Sequence, residues 1–548
     1  MPAEINIDSF ESSTAALDSA HVGDIRGALG TIALGDVSPR RHLSAKLKTL
    51  LAIVGPGLIV MVGDNDAGAF GTYTQAGQDY GTHLLWTLLL LVPVLYVSQE
   101  MVLRLGAVSG VGHARLILER FGKFWGAFSV IDLFILNALT IVTEFIGVTL
   151  ATGYLGLPKI PSVIVAAVAV VGAASTGSFR RFERVSLTLV AGSLILIPIY
   201  LMVHPPVGQM VHNFVIPGFP HGAQVSTVML LIIGIIGTTV APWQLFFQQS
   251  YVIDKRITPR FINYERTDLW IGIGIVVLGA AAMFGFSSAV FAGRPGFGDF
   301  TSAAGVAAGL GKYVSHVAGD LFAIALLDAS IIGAAAVGLA TAYASSDVLG
   351  VNHSLHRPVT KAKGFYAVYA GLMALSAALV IIPGVPLGLL TEGVQTLAGV
   401  LLPSAVVFLM LLSNDKEVLG PWVNGKKLNI LTSAIIWVLV LLSIILTASV
   451  LFPNISSTQI EAVMGGGIVV GLIVGAFLLF QSRYGDRSGD VEIFEKLDRQ
   501  TWRMPNLATL KTPVMSTQRK IGLLTLRGYL FVAFALVVVK IVEVAIHG

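Results

Sequence analysis

The chain has 548 residues, of which 55% are hydrophobic and only 12% are charged, and its mean hydropathy is +0.81. Soluble domains have about 25% charged residues, so this composition excludes an ordinary soluble protein. The net charge is only +4, and the basic residues do not cluster in a soluble domain, which argues against a nucleic-acid-binding domain. The absence of cysteine excludes disulfides and thiolate metal ligands. The apolar segments are each about 20 residues long, the length of a membrane-spanning helix rather than a barrel strand. The sequence predicts an all-α, polytopic membrane protein.

The two ends of the chain are polar. Residues 1–45 lack the apolar core of a secretory signal, and we expect them to form a disordered cytosolic tail. Residues 482–520 should form a charged cytosolic linker, and residues 521–548 a final membrane helix. Charged residues interrupt that last segment, so a helix lying in the membrane interface stays the alternative.

Between these ends, residues 46–481 hold about twelve apolar segments and are expected to form the transmembrane domain. Lysine and arginine concentrate in alternate loops, which are those at 104–123, 180–184, 255–266, 357–363 and 416–427. Because basic loops are retained on the cytoplasmic side, this bias predicts a multi-pass protein of the cell's inner (plasma) membrane with a cytosolic N-terminus.

The first apolar segment is interrupted by polar residues. Residues 55–78 read GPGLIVMVGDNDAGAFGTYTQAGQ, so Asp64, Asn65 and Asp66 follow a stretch too short to cross a bilayer. A carboxylate at the membrane centre costs about 2.5–3.5 kcal/mol, and broken backbone is tolerated there only where it is buried or lines a cavity. Two carboxylates and freed carbonyls in one helix break therefore predict a cation site.

The sixth apolar segment has a similar layout. Residues 230–250 read LLIIGIIGTTVAPWQLFFQQS, and Pro242 removes a backbone donor, so the helix should open just before it. The two interrupted helices lie five crossings apart, and the second group therefore starts from the opposite side of the membrane. This predicts two inverted halves, at about 48–205 and 223–413, a pattern typical of secondary transporters.

These two segments resemble the corresponding helices of the Nramp family of divalent-metal transporters. The first matches the helix whose family signature is Asp-Pro-Gly-Asn, and residues 238–250 match the helix whose signature is Met-Pro-His. Residues 143–147 (TEFIG) and 401–420 match as well, and the resemblance covers about 48–452. It implies a LeuT-like fold of 5+5 inverted helices with additional C-terminal helices, alternating access by helices 1 and 6, and a divalent cation as substrate.

Several positions depart from the family pattern. Asp66 falls on the family's metal-binding aspartate, but Ala69 stands where the family has an asparagine ligand and Ala241 where it has methionine. Trp243 and Gln248 take the places of two histidines. This pattern is similar to the Nramp-related magnesium transporters, a prokaryotic branch.

The residues expected to hold the cation, through side chains or backbone, are few. They are Asp66, Asp64, Asn65, Gly63, Ala69, Thr238, Ala241 and Gln244. The cation pathway is expected to include Glu144, Trp243 and Gln248.

The chemistry of this set favours a hard ion. A thioether is a soft ligand that suits transition metals, whereas carboxylate, carbonyl and water oxygens suit Mg²⁺. Mg²⁺ gives up its water reluctantly, and a wide oxygen-lined site suits an ion that stays partly hydrated. We therefore expect transport of Mg²⁺, with Mn²⁺ as a secondary substrate. Without histidine in the sixth helix to relay protons, transport is not expected to be proton-coupled.

Other functions remain open. The first alternative is a proton-coupled Mn²⁺ or Fe²⁺ importer. The second is a sodium-coupled symporter of a small organic solute, although Asp64 and Asp66 would repel the carboxylate of an amino-acid substrate. A membrane enzyme is disfavoured because the sequence has no GxxxxGK[ST], HExxH or GxSxG motif. No cofactor, nucleic acid or obligate protein partner is indicated; the expected partners are the metal ion and the lipid bilayer.

Overall fold

The computed structural model describes residues 20–220, 222–382, 387–451, 455–484 and 498–511, with five isolated positions between 523 and 535. Over these residues the chain is helical, apart from one short β-hairpin of β1 (Ile25–Arg26) and β2 (Thr31–Ile32). The hairpin pairs Ile25 with Ile32 and Arg26 with Thr31 in antiparallel register. The predicted final helix at 521–548 lies almost entirely outside the described residues.

The helices of the first half are α1 (Leu43–Ile53), α2 (Pro56–Val62), α3 (Ala67–Tyr80), α4 (Trp86–Ser109), α5 (His113–Phe121), α6 (Lys123–Tyr154), α7 (Lys159–Ala174), α8 (Phe179–Gly192), α9 (Leu196–Val203) and α10 (Val207–Val215). Those of the second half are α11 (Val225–Thr239), α12 (Pro242–Asp254), α13 (Ile262–Phe291), α14 (Ala303–Tyr313), α15 (His316–Leu349), α16 (Lys363–Ile381) and α17 (Leu387–Ser413). The additional C-terminal helices are α18 (Lys416–Leu419), α19 (Lys426–Leu451) and α20 (Ser457–Tyr484).

Twelve of the predicted apolar segments fall on these helices. Ten helical stretches in the described ranges are long and apolar enough to cross a membrane, counting α8–α9 and α11–α12 as one stretch each. The pair α1 and α2 passes the same test together, although the two helices are bent by 54°. Helix α7 is apolar but shorter. The chain is therefore a multi-pass membrane protein.

The packing agrees with two inverted halves that each begin with an interrupted helix. The first interrupted helix (α2 and α3) packs against α13, the second crossing of the second half, while α12 of the other interrupted helix packs against α4, the second crossing of the first half. This exchange is the reciprocal arrangement that a pseudo-two-fold axis in the membrane plane produces. It places the two interruptions at the centre of the bundle.

The basic loops come together on one face of the bundle, which we call the basic face. There the Arg120 guanidinium donates to Asp415 at 2.7 Å, and Arg115 donates to the Val348 carbonyl at 3.3 Å. Part of the predicted linker is docked on this face rather than free, since the Met504 amide donates to the Val108 carbonyl at 3.1 Å. These contacts join residues far apart in the sequence, so the composition of the loops could not predict them.

The sequence predicts a disordered tail at 1–45, but residues 20–45, the described part of this segment, are folded. Residues 20–42 lie on the basic face, where Ile25, Ala28 and Ile32 are buried, with exposures of 4%, 5% and 5%. The physical reason is that the hairpin has a small apolar side to bury, and that arginines of α8 and of the turn after α12 bind carbonyls of this segment. Helix α1 then follows from Leu43.

The corner between α1 and α2 is fixed by a buried carboxylate. Asp268 Oδ2 on α13 accepts hydrogen bonds from the amides of Gly55, Gly57 and Leu58 at 3.1, 2.8 and 3.3 Å. These amides have no partner within α2 because they lie in its first turn, so an anion there is favourable. Arg266, two residues before this acid in the sequence, donates to Glu100 at 2.6 Å.

Candidate cation site between two interrupted helices

The first interruption consists of four buried residues. Helix α2 ends at Val62 and α3 begins at Ala67, and in the gap Asp64, Asn65 and Asp66 are only 0%, 4% and 3% exposed. Asp66 is the N-cap of α3, and its Oδ1 accepts a hydrogen bond from the Ala69 amide at 2.9 Å. The helix start therefore holds this carboxylate in place and favours its negative charge.

The second interruption faces the first. Helix α11 ends at Thr239, and α12 begins at Pro242, which has no N–H to donate to the carbonyl of Thr238. The hydroxyls of Tyr73 on α3 and Thr239 are 2.7 Å apart and tie the two interrupted helices together. Freed carbonyls at this depth are tolerated because the surrounding helices bury them.

A chain of side chains connects the two interruptions. Gln244 Nε2, in the first turn of α12, donates to Asp64 Oδ1, and Gln99 Nε2 on α4 donates to Gln244 Oε1 at 2.9 Å. Asp64 Oδ2 has no hydrogen-bond partner among the described residues. One carboxylate oxygen is thus positioned and the other is available to an ion.

Asp66 lies beside a second acid. Glu144 Oε2 on α6 accepts a hydrogen bond from the Ala67 amide at 3.2 Å. A Cβ at Gly333 on α15 would lie 3.0 Å from the Asp66 Cβ and 2.7 Å from Glu144 Oε2. Glycine at that position therefore lets α15 cover both acids, and Glu144 is 0% exposed.

The sequence did not single out Gln395, which the structure places at the site. A Cβ at Gly68 would come within 1.8 Å of Gln395 Nε2 and 3.2 Å of Asp66 Oδ1, so this amide lies almost against α3. Over the described ranges, Gln395 Nε2 has no hydrogen-bond partner. The available signal was a lone glutamine in the apolar segment that forms α17.

Two predicted ligands also contact the protein itself. Asn65 Nδ2 donates to the Val276 carbonyl on α13 at 3.3 Å, while Asn65 Oδ1 has no partner among the described residues. Ala69 contributes its backbone amide to Asp66 and has no donor atom in its side chain. Gly63 borders the site, since a Cβ there would lie 3.8 Å from the Trp243 ring.

The remaining residues follow α12 away from the interruption. Trp243 is 1% exposed, and its ring lies 6.1 Å from that of Phe247. Gln248 is fully buried, and neither polar atom of its side chain has a partner in the part of the chain that the structure describes. The Thr238 hydroxyl and Glu144 Oε1 are also buried without a hydrogen-bond partner among the described residues. Such unpaired polar atoms are costly unless a ligand or water satisfies them.

A cavity connects the site with the face opposite the basic loops. It is partly open to solvent and extends from Ala67, next to Asp66, to the loop at 300–303. Hydroxyl and amide side chains of Thr72, Gln75 and Thr143 line it, without a charged group. The rest of the lining is mostly apolar.

The site offers few strong ligands. Across the described ranges, no three histidine, aspartate or glutamate side chains come close enough to bind one metal ion together. An ion here would complete its coordination with backbone carbonyls, amide oxygens and water. That arrangement suits hard cations, which take oxygen ligands and retain part of their hydration shell.

Comparison with known proteins agrees with this architecture. Residues 57–449 match the family model "Nramp: Natural resistance-associated macrophage protein-like". A relative from Staphylococcus aureus, named "Divalent metal cation transporter MntH", is 26% identical over 436 residues, or 74% of this chain and 92% of the relative.

Among solved structures, the manganese transporter of Eremococcus coleocola is similar in fold. A histidine-to-alanine mutant of that transporter has a TM-score of 0.60 and 19% identity, covering 86% of this chain and 99% of that one. A complex of the same transporter with an aromatic bis-isothiourea compound has a TM-score of 0.59 and 20% identity, covering 84% of this chain and 100% of that one. The fold is therefore LeuT-like, as expected, and because the family model matches most of the chain, this protein belongs to the Nramp family of divalent-metal transporters and is not an enzyme.

Proposed function

We propose that this chain carries Mg²⁺ and Mn²⁺ through an all-oxygen site between its two interrupted helices, with Mg²⁺ preferred. The observation that carries the proposal is the pair of buried carboxylates in the first interruption, Asp64 and Asp66. Charged groups at this depth are expensive and mark ion pathways in membrane proteins. Asp64 retains an oxygen without a partner among the described residues, which is available to an ion.

The preference for a hard ion rests on what surrounds these acids. Ala241 caps α12 in the second interruption, and it supplies a backbone carbonyl but no sulfur. The side chains nearest the acids, those of Gln244, Gln395 and Glu144, offer amide and carboxylate oxygens. Such ligands suit Mg²⁺ and Mn²⁺ better than they suit softer transition metals.

The relatives favour a second candidate, a manganese importer. The similar solved structures are of a protein described as a manganese transporter, and the Staphylococcus aureus relative is named as a divalent metal cation transporter. These names support Mn²⁺ more directly than Mg²⁺. The two candidates differ in how much water the ion retains, because Mg²⁺ loses its hydration shell more reluctantly.

Transport would proceed by alternating access. The cavity from Ala67 to residues 300–303 provides entry from one face, while Trp243 and Gln248 lie buried on the side of the basic face. Rocking of the interrupted helices would then expose the site to the basic face. We assign the basic face to the cytoplasm by its arginines and lysines, so movement of the ion from the cavity to this face would be import across the inner (plasma) membrane.

The membrane potential can drive this movement without protons. An inside-negative potential favours cation entry by about 2.3 kcal/mol per charge per 100 mV. Trp243 and Gln248 cannot exchange protons at neutral pH, and Glu144 is held by the Ala67 amide. We therefore propose uncoupled transport. A symporter of an organic acid is disfavoured because the two aspartates would repel a substrate carboxylate.

Replacing Asp66 by asparagine should abolish high-affinity ion binding. Loss of a buried charge that contacts an ion costs about 2 kcal/mol or more, so binding of Mn²⁺ should weaken by about 30-fold or more. Isothermal titration of the purified protein measures this. Asp132→Asn is the matched control, since Asp132 is another acid within the bundle, nearer the start of α6 than Glu144. Equal affinities in both variants and the parent would contradict the proposed site.

Replacing Ala241 by methionine should change ion preference. The added thioether favours the softer ion, so Mn²⁺ uptake should rise relative to Mg²⁺ uptake by about tenfold, which corresponds to about 1.4 kcal/mol. Competition flux in proteoliposomes measures the ratio. Ala241→Leu is the control, because leucine is of similar size but has no sulfur. The same ratio in the methionine and leucine variants would show that ligand softness does not set the preference.

Metal uptake should not acidify the lumen of proteoliposomes. With a pH-sensitive dye inside, uptake of Mg²⁺ or Mn²⁺ under a negative potential should change the pH no more than in protein-free vesicles. Glu144→Gln should still transport, because this proposal gives Glu144 no proton to carry. Acidification that scales with metal uptake, and that disappears in Glu144→Gln, would instead establish proton coupling.

A further inference from the structure

Residues 20–38, which we call the N-terminal strap, cross the basic face above the corner between α1 and α2. The strap contains the β-hairpin and lies tightly on α1. A Cβ at Gly27 would be 2.0 Å from the Ala52 carbonyl oxygen, and one at Gly30 would be 2.9 Å from the Ala52 Cβ. Only glycine permits this approach, so the path of the strap is specified against α1.

Arginines from two other elements hold the strap from the opposite side. On α8, Arg180 Nε donates to the Gly27 carbonyl at 3.0 Å, and Arg184 Nε donates to the Ala28 carbonyl at 3.2 Å. Beyond α12, Arg260 Nη1 donates to the Asp36 carbonyl at 2.7 Å. These acceptors are backbone oxygens, and Arg180 also donates to the Thr31 hydroxyl, so the contacts depend mainly on where the strap runs.

Beneath the strap, a buried ion pair joins the same elements. Lys255 Nζ, just after α12, donates to the Ile53 and Val54 carbonyls at 2.6 and 2.8 Å and to Glu183 Oε1 on α8 at 2.6 Å. Glu183 Oε2 accepts a hydrogen bond from the Ala28 amide of the strap at 2.5 Å. The strap thus completes a network that links the end of α1 to α8 and α12.

This network opposes the movement that would open the site to the basic face. For α1 and α2 to move away from α8 and α12, the bonds of Lys255 to the end of α1 must break, leaving buried charges with fewer partners. The strap packs on Ala52 of α1 and accepts hydrogen bonds from the arginines of α8. If α1 moves away from α8, the strap must therefore lose its contacts with one of the two helices.

We propose that the N-terminal strap is a latch that keeps the transporter closed at the basic face, and that its release accompanies opening there. Opening of the interrupted first helix then depends on a segment outside the transmembrane domain. This inference does not depend on which cation is carried.

The absence of native cysteine allows a direct test with a single reporter. Val60 on α2 is 0% exposed, so in Val60→Cys the rate of maleimide labelling in detergent reports opening to water. Adding Gly27→Val should displace the strap and raise the labelling rate about fivefold or more, the effect of losing about 1 kcal/mol of latch stability. Gly35→Val is the matched control, because a Cβ at Gly35 meets no atom within 4 Å.

A second pair of variants acts from the opposite side of the strap. Arg180→Ala removes donors to the strap and should also raise the labelling rate, whereas Arg181→Ala, at the exposed neighbouring position, should not. This pair decides the matter if Gly27→Val fails to fold. Labelling at the parent rate in Arg180→Ala, or an equal rise in the two control variants, would overturn the latch.

Discussion

The architecture depends on one constraint, which is that every backbone polar group inside a bilayer must find a partner. Two helices are interrupted at the centre of this bundle, and each interruption is stabilised by the other. The Tyr73 hydroxyl meets Thr239 across the gap, and Gln244 binds Asp64. Asp66 caps the helix that resumes after the first interruption. The groups that satisfy the broken backbone are therefore also the groups that can bind an ion.

The sequence predicted the parts of this arrangement that local chemistry determines. Three polar residues in an apolar segment and a proline in its counterpart located both interruptions, and Gln244 was expected there because it lies two residues after Pro242. It could not predict Gln395, because the approach of α17 to Gly68 depends on tertiary packing. The hydrogen bond from Asn65 Nδ2 to α13 depends on tertiary packing in the same way, and the role of Asn65 at the ion stays a prediction.

The N-terminal segment illustrates a different limit. Its polar composition is typical of disordered tails, yet residues 20–42 are docked because they find partners on the basic face. Asp36 is held there as a carboxylate, since hydrogen bonds from the Arg40 guanidinium keep the pKa of Asp36 well below its usual value. Basic residues that indicate orientation in the sequence, such as Arg180 and Arg260, act in the structure as donors to this segment. The same arginines thus indicate the orientation of the protein in the membrane and hold the N-terminal strap on the basic face.

The central claim is that a divalent cation binds between the two interruptions through Asp66. Anomalous scattering from crystals soaked in Mn²⁺ tests it most directly. The account predicts a peak at ligand distance from an Asp66 oxygen, about 2.0–2.6 Å, with the Thr238–Ala241 segment on its other side. An occupied Mn²⁺ position elsewhere in the bundle, with none beside Asp66, would contradict it.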